Sequence, residues 1–175
     1  VFQPAEETLT GAAAMLEAGA FADPAPDAIL GFHNWPQLRT GSVGWHPEAV
    51  MASSDAFDVT IKGVGGHGAH PHLAVDSIVG AAQFVNQLQT IVSREVKPIE
   101  PAVITVGAIH GGTKHNIIGD RCHMQLTVRS YDEGVRKLLL EGIARKAKGV
   151  AVGANAPEPT VVVSEGTPSL WNDED

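Results

Sequence analysis

Residues 55–63, DAFDVTIKG, alternate apolar and polar side chains with the period of two expected of a half-buried strand. The glycine- and histidine-rich stretch GVGGHGAHPH has no such period and reads as a loop. After it, Ile78, Ala81, Val85, Leu88 and Val92 recur at helical spacing, with Asp76 placed as the N-cap. AVITVGAIHGG and CHMQLTVRS read as two further strands joined through GTKHNIIGDR. Ser130 and Glu133 have the spacing of a capping box for a second helix, which carries Val135, Leu138, Leu139 and Ile143 on one face. PTVVVSEG supplies a last strand. The order β-α-β-β-α-β predicts a ferredoxin-like layer, two helices on an antiparallel sheet, over residues 55–163.

The flanks have a different texture. Val1–Gln3 is a short apolar stub closed by Pro4, Thr10–Ala18 is an alanine-rich helix stopped by Gly19, and Ala28–His33 is a second apolar run. Strand, helix, strand is the pattern of a right-handed parallel crossover, which brings the carboxyl ends of both strands to one sheet edge. Glu6, Glu7 and His33 are therefore expected to meet where open α/β sheets bind their ligands. Residues 1–54 and 164–175 read as pieces of another domain into which the 55–163 domain is inserted. The whole chain is of the mixed α/β (α+β) class.

Composition narrows the partners. With 12 Lys and Arg and a formal charge of −8, the chain lacks the clustered cations that nucleic acid or an anionic membrane requires. The single cysteine, Cys122, excludes an internal disulfide and fits a reducing, cytoplasmic setting. No apolar run approaches the roughly 20 residues of a membrane span.

The candidate chemistry has ordinary readings beside the functional ones. Glu6 and Glu7 are an acidic pair at a helix entrance, or a pair in which one carboxylate ligates a metal while the other moves protons. His33 is a packed loop residue, or a ligand that joins Glu7 at a Zn²⁺-type site. His67, His70 and His72 belong to a surface loop, to a metal site of their own, or to a loop in which a histidine donates to a developing oxyanion. Asn116 lies in a turn-forming stretch. Arg129, at the end of a strand, is a solvated charge or a fork for a substrate carboxylate.

Taken together and in order, VFQPAEE, GAAAMLEAG, GFHNWP, KGVGGHGAHPHLAVDSI and GAIHGGTKHNIIGDRCHMQLTVRS resemble the M20 metallopeptidase family. The likeness is strongest to its amidohydrolase branch of hippurate hydrolases, N-acyl-amino-acid amidohydrolases and auxin-conjugate hydrolases. The resemblance implies a catalytic α/β domain holding two divalent metal ions (Zn, or Mn, Co or Ni), and an inserted ferredoxin-like domain serving as lid and homodimerisation surface. It implies Glu6 as the general base toward a metal-bridging water, Glu7 and His33 as metal ligands, and His67 as the lid histidine reaching the partner subunit's site. Asn116 and Arg129 match substrate-holding lid residues.

Gly119 stands where family members have proline. The family's upstream ligand motif and its C-terminal histidine have no counterpart here, so the metal site is expected to be incomplete and this chain by itself inactive. The expected parent activity is hydrolysis of the amide of a hippurate-like N-acyl amino acid. The alternatives are a non-catalytic dimerisation or interaction module, and a dipeptidase or carboxypeptidase of the same fold.

Overall fold

The computed structural model describes residues 1–173, the side chains of Ser164 and Glu165 excepted. It divides into two units, Val1–Trp45 and His46–Asp175.

The second unit opens with β1 (Ala49–Met51) and β2 (Ser54–Lys62), followed by the short β3 (Gly66–His67). Along β2, Asp55, Phe57, Val59 and Ile61 are buried and the intervening residues are not, as the period of two requires. The helix α2 (Ser77–Thr90) starts at Asp76, whose carboxylate accepts from the Ile78 and Val79 amides. Its buried stripe is Ser77, Gly80, Ala81, Phe84 and Leu88, so the expected face is rotated: Ile78 is exposed and Phe84 lies at the centre. A π-helical turn over Ile91–Glu95 ends it.

Next come β4 (Ala102–Gly111), β5 (Ile117–Ile118), β6 (Arg121–Ser130), α3 (Glu133–Gly153), β7 (Thr160–Thr167) and β8 (Leu170–Trp171). The main sheet runs β4-β6-β2-β7, every neighbouring pair antiparallel. That is the strand arrangement of the expected ferredoxin-like βαββαβ layer. The inner face buries Phe57, Ile61, Met124, Leu126 and Val128 against Phe84, Leu88, Leu139 and Ile143 of the two helices.

The start of α3 differs from expectation. Asp132, not Ser130, is the N-cap and accepts from the Val135 amide at 2.8 Å. Ser130 still belongs to β6, buried and hydrogen-bonded to Ser53 at 3.1 Å. The local spacing is overridden because Ser130 ends β6 and its carbonyl and amide are both engaged with Ser53, which precedes β2. Asp55 and Arg136 form a buried bidentate pair, 2.7 and 2.8 Å, that ties β2 to α3.

The first unit contains α1 (Gly11–Glu17) with Gly19 beyond it at φ +78°. The two strands expected at residues 1–3 and 28–33 do not form. A strand exists only through a paired neighbour, and these segments have none among the described residues; Phe2, Leu30 and Phe32 are exposed.

Candidate functional site

The glycine-rich loop after β2 is closed at its base. Val64 and Val75 exchange backbone hydrogen bonds at 2.9 Å, and the Gly63 amide donates to the Asp120 carbonyl at 2.8 Å. A Cβ on Gly63 would stand 2.2 Å from the Val75 carbonyl oxygen, so only glycine permits this closure.

Inside the loop β3 pairs with β5, placing His67 opposite Ile117. The Gly68 amide donates to the Asn116 carbonyl at 2.8 Å. His67 and Asn116, distant in sequence, are thereby carried on one two-stranded ribbon. Ser77, fully buried in the first turn of α2, donates its hydroxyl to the Gly119 carbonyl at 2.9 Å and fastens the β5–β6 turn to the helix.

His67 itself is exposed. The Ala69 amide donates to its Nδ1 at 3.1 Å, and its carbonyl accepts from the His70 amide. The rings of His67 and His70 are 5.6 Å apart and those of His70 and His72 are 6.0 Å apart. The three histidines do not make a metal site of their own: no group of three or more His, Cys, Asp or Glu side chains converges on a metal position among the described residues.

Arg129 does not join this ribbon. It is exposed on the face of β6 away from the helices, next to the strand end at Ser130, whereas β5 precedes the other end at Arg121. At about 3.3 Å per residue, Arg121 to Arg129 is about 26 Å of strand. The domain therefore presents His67 and Asn116 at one end of its main sheet and Arg129 at the other.

In the first unit, Glu6 and Glu7 are exposed in a turn closed by the Leu9 amide on the Glu6 carbonyl, 2.9 Å. His33 is exposed, with Nδ1 2.8 Å from the Asn34 carbonyl and its ring edge-on to Trp35. No hydrogen bond or ion pair links the three side chains. Carboxylate and imidazole suit zinc in donor type, but Glu7 and His33 do not complete a ligand set among the described residues.

Two groups escaped the sequence reading. Ser77 gave no signal beyond its place after an N-cap, because its partner is 42 residues away. The Ala69 amide could have been suspected: a side-chain acceptor bonded to the amide two residues on is the Asx-turn pattern.

Residues 53–155 match the peptidase dimerisation domain of the M20 family. The chain belongs to that family. It is 42% identical over 151 residues to an N-acetyldiaminopimelate deacetylase of Lactococcus lactis subsp. cremoris, a match covering 86% of this chain and 40% of that protein. An enzyme described in the same words from Streptococcus suis is 39% identical over 152 residues. Among solved structures, the Bacillus subtilis YXEP protein, described as a dinuclear metal-binding M20 peptidase, superposes with a TM-score of 0.74 at 34% identity. That superposition covers 99% of this chain and 42% of the other. The chain thus spans about 40% of the length of the curated relatives it matches.

Proposed function

We propose that this chain supplies the lid and part of the catalytic domain of an amidohydrolase that releases an amino acid from its N-acyl derivative. The observation that carries the reading is the β3–β5 ribbon, which pairs the strand bearing His67 with the segment that begins at Asn116, the Gly68 amide donating to the Asn116 carbonyl. In this reading Glu6 takes a proton from the attacking water and returns it to the leaving nitrogen. His67 and Asn116 donate hydrogen bonds to the oxygen that gains charge as the carbonyl becomes tetrahedral. Arg129 pairs with the substrate carboxylate. Glu7 and His33 are this chain's donors to a site for two divalent ions, zinc by their chemistry, which when bound would polarise the carbonyl.

The names of the relatives favour an acetyl group over the benzoyl of hippurate. In a polypeptide of the relatives' length carrying these residues, hydrolysis of N-acetyldiaminopimelate and other N-acetyl amino acids should exceed that of hippurate. Glu6→Gln should abolish most turnover while metal content is kept. Near-normal kcat in Glu6→Gln would remove it as the base, and preferential turnover of hippurate would reverse the substrate assignment. Cleavage of dipeptides in place of acyl amino acids would favour the peptidase reading, and the absence of any turnover would favour a dimerisation module.

The homodimer we propose uses the edge formed by β4 and α2. β4 is an outer strand of the sheet, and α2 carries no charged residue from Ser77 to Thr90. Charge depletion of that kind is a property of interface cores. The two ends of the lid then serve different sites: the ribbon end reaches the partner subunit, and the Arg129 end stays with its own. No helix among the described residues is long and apolar enough to cross a membrane; we place the enzyme in the cytoplasm, handling small-molecule substrates and no nucleic acid, on the low count of cations and the single cysteine.

A further inference from the structure

A neutral imidazole can donate from only one of its two nitrogens, and which one is decided by what the other accepts. At His67 the other is already engaged: the Ala69 amide points at Nδ1 from 3.1 Å. A proton on Nδ1 would face that N–H group directly, two donors with no acceptor between them. The contact is reinforced by the turn in which it sits. The His70 amide closes onto the His67 carbonyl at 2.8 Å, and the Gly68 amide between them is anchored to the Asn116 carbonyl at 2.8 Å. The backbone from His67 to His70 is therefore held from both sides, and the Ala69 amide has its direction set by its neighbours.

We propose that the Ala69 amide locks His67 as the Nε2–H tautomer, so that the loop presents a neutral hydrogen-bond donor through Nε2 rather than a base or a metal ligand. Ala69 is thus a positioning residue acting through its backbone. The geometry copies an Asx turn, with imidazole Nδ1 in the place of the Asn side-chain oxygen. Asparagine at this position should preserve the turn but shorten the reach of the donor, since its Nδ2 group lies closer to the backbone than imidazole Nε2. Phenylalanine should lose both.

The test uses this chain, isotopically labelled, at a pH where its histidines are neutral. Long-range proton–nitrogen correlation should give His67 one nitrogen of the unprotonated type, Nδ1, and one of the protonated type, Nε2. His115, whose ring makes no such contact among the described residues, serves only as a reference for the spectrum. Hydrogen exchange at the Ala69 amide should become roughly five- to tenfold faster in His67→Phe, as loss of one ordinary hydrogen bond allows, and stay near the wild-type rate in His67→Asn. A His67 averaged between tautomers, a proton on Nδ1, or unchanged Ala69 exchange in His67→Phe would each overturn the proposal. The tautomer measurement needs no variant, so misfolding of a variant leaves the test standing.

The catalytic use of this donor rests on the amidohydrolase reading, and the two fail separately. A locked tautomer together with a fully active His67→Asn enzyme of the relatives' length would sink only the catalytic role. An averaged tautomer together with an inactive His67→Asn enzyme would sink only the lock.

Discussion

At Asp55 a carboxylate that is 1% exposed holds the Arg136 guanidinium through two hydrogen bonds, and Gly166 lies so close that a Cβ there would meet Asp55 Oδ1 at 2.5 Å. The carboxylate raises the already high pKa of Arg136. Removing one partner leaves the other charge buried, so Asp55→Ala should cost about 3 to 5 kcal/mol, read from urea unfolding of this chain. Gly119 behaves oppositely. A Cβ there meets nothing nearer than 3.5 Å and the backbone is not in the left-handed region, so Gly119→Ala should stabilise by about 0.4 to 1 kcal/mol through the unfolded state. For Glu95, burial opposes ionisation but the neighbouring Arg145 and Lys146 outweigh it, and its pKa lies below the ordinary value. A depressed carboxylate contributes stability above its unfolded pKa and loses it as pH falls through the folded one. Glu95→Gln should therefore flatten the dependence of stability on pH below about pH 4.5. An unchanged acid slope would contradict this.

Among elements, α2 connects two loops. Its first turn fastens the β5–β6 turn through Ser77, and its outward face carries Val79, Gln83 and Asn86, all exposed and uncharged. Ser77→Ala leaves the Gly119 carbonyl without its donor and should cost about 1 to 3 kcal/mol. Chemical shifts should change at Asn116 more than at the far end of the sheet. If α2 lies at the two-fold interface, Val79→Glu with Gln83→Glu places like charges against each other across the axis. Sedimentation should then move from dimer to monomer, with the far-ultraviolet circular dichroism unchanged. A dimer that survives both charges would move the interface to another face.

For the whole molecule, the decisive quantity is which lid completes which site. His67→Ala should lower kcat by about 10²- to 10³-fold in the long polypeptide, the usual worth of an oxyanion donor. Mixed with Glu6→Gln, it should regain up to half of the wild-type rate per heterodimer if the ribbon acts in the partner's site. Arg129→Ala should be complemented by His67→Ala but not by Glu6→Gln. If Arg129 serves its own subunit's site, Arg129→Ala and Glu6→Gln each disable the site of the subunit that carries them and their heterodimer stays inactive, whereas with His67→Ala both defects fall in one site and the other is intact. Demonstrated subunit exchange with no recovery in the His67 and Glu6 mixture would place His67 in its own subunit.

The main sheet and both of its helices were legible in the linear pattern, because β2 and β6 bury alternate residues and each helix buries a stripe; these periodicities belong to single segments. Asp76 as a cap was legible for the same reason. Contacts between segments were not. The register that puts His67 opposite Ile117, the Ser77 link to Gly119 and the pairing of Asp55 with Arg136 all join residues far apart in sequence, and no local spacing encodes them. The capping box at Ser130 failed because Ser53, 77 residues away in sequence, engages the Ser130 amide with its hydroxyl and the Ser130 carbonyl with its amide. Strands at residues 1–3 and 28–33 failed because an apolar run becomes a strand only when another strand receives its hydrogen bonds. Sequence by itself determined the main sheet's strands, the two helices on it and the family likeness. Tertiary structure alone decided that His67 shares a ribbon with Asn116 and that Arg129 lies at the opposite end, since strand pairing and direction set distance in space.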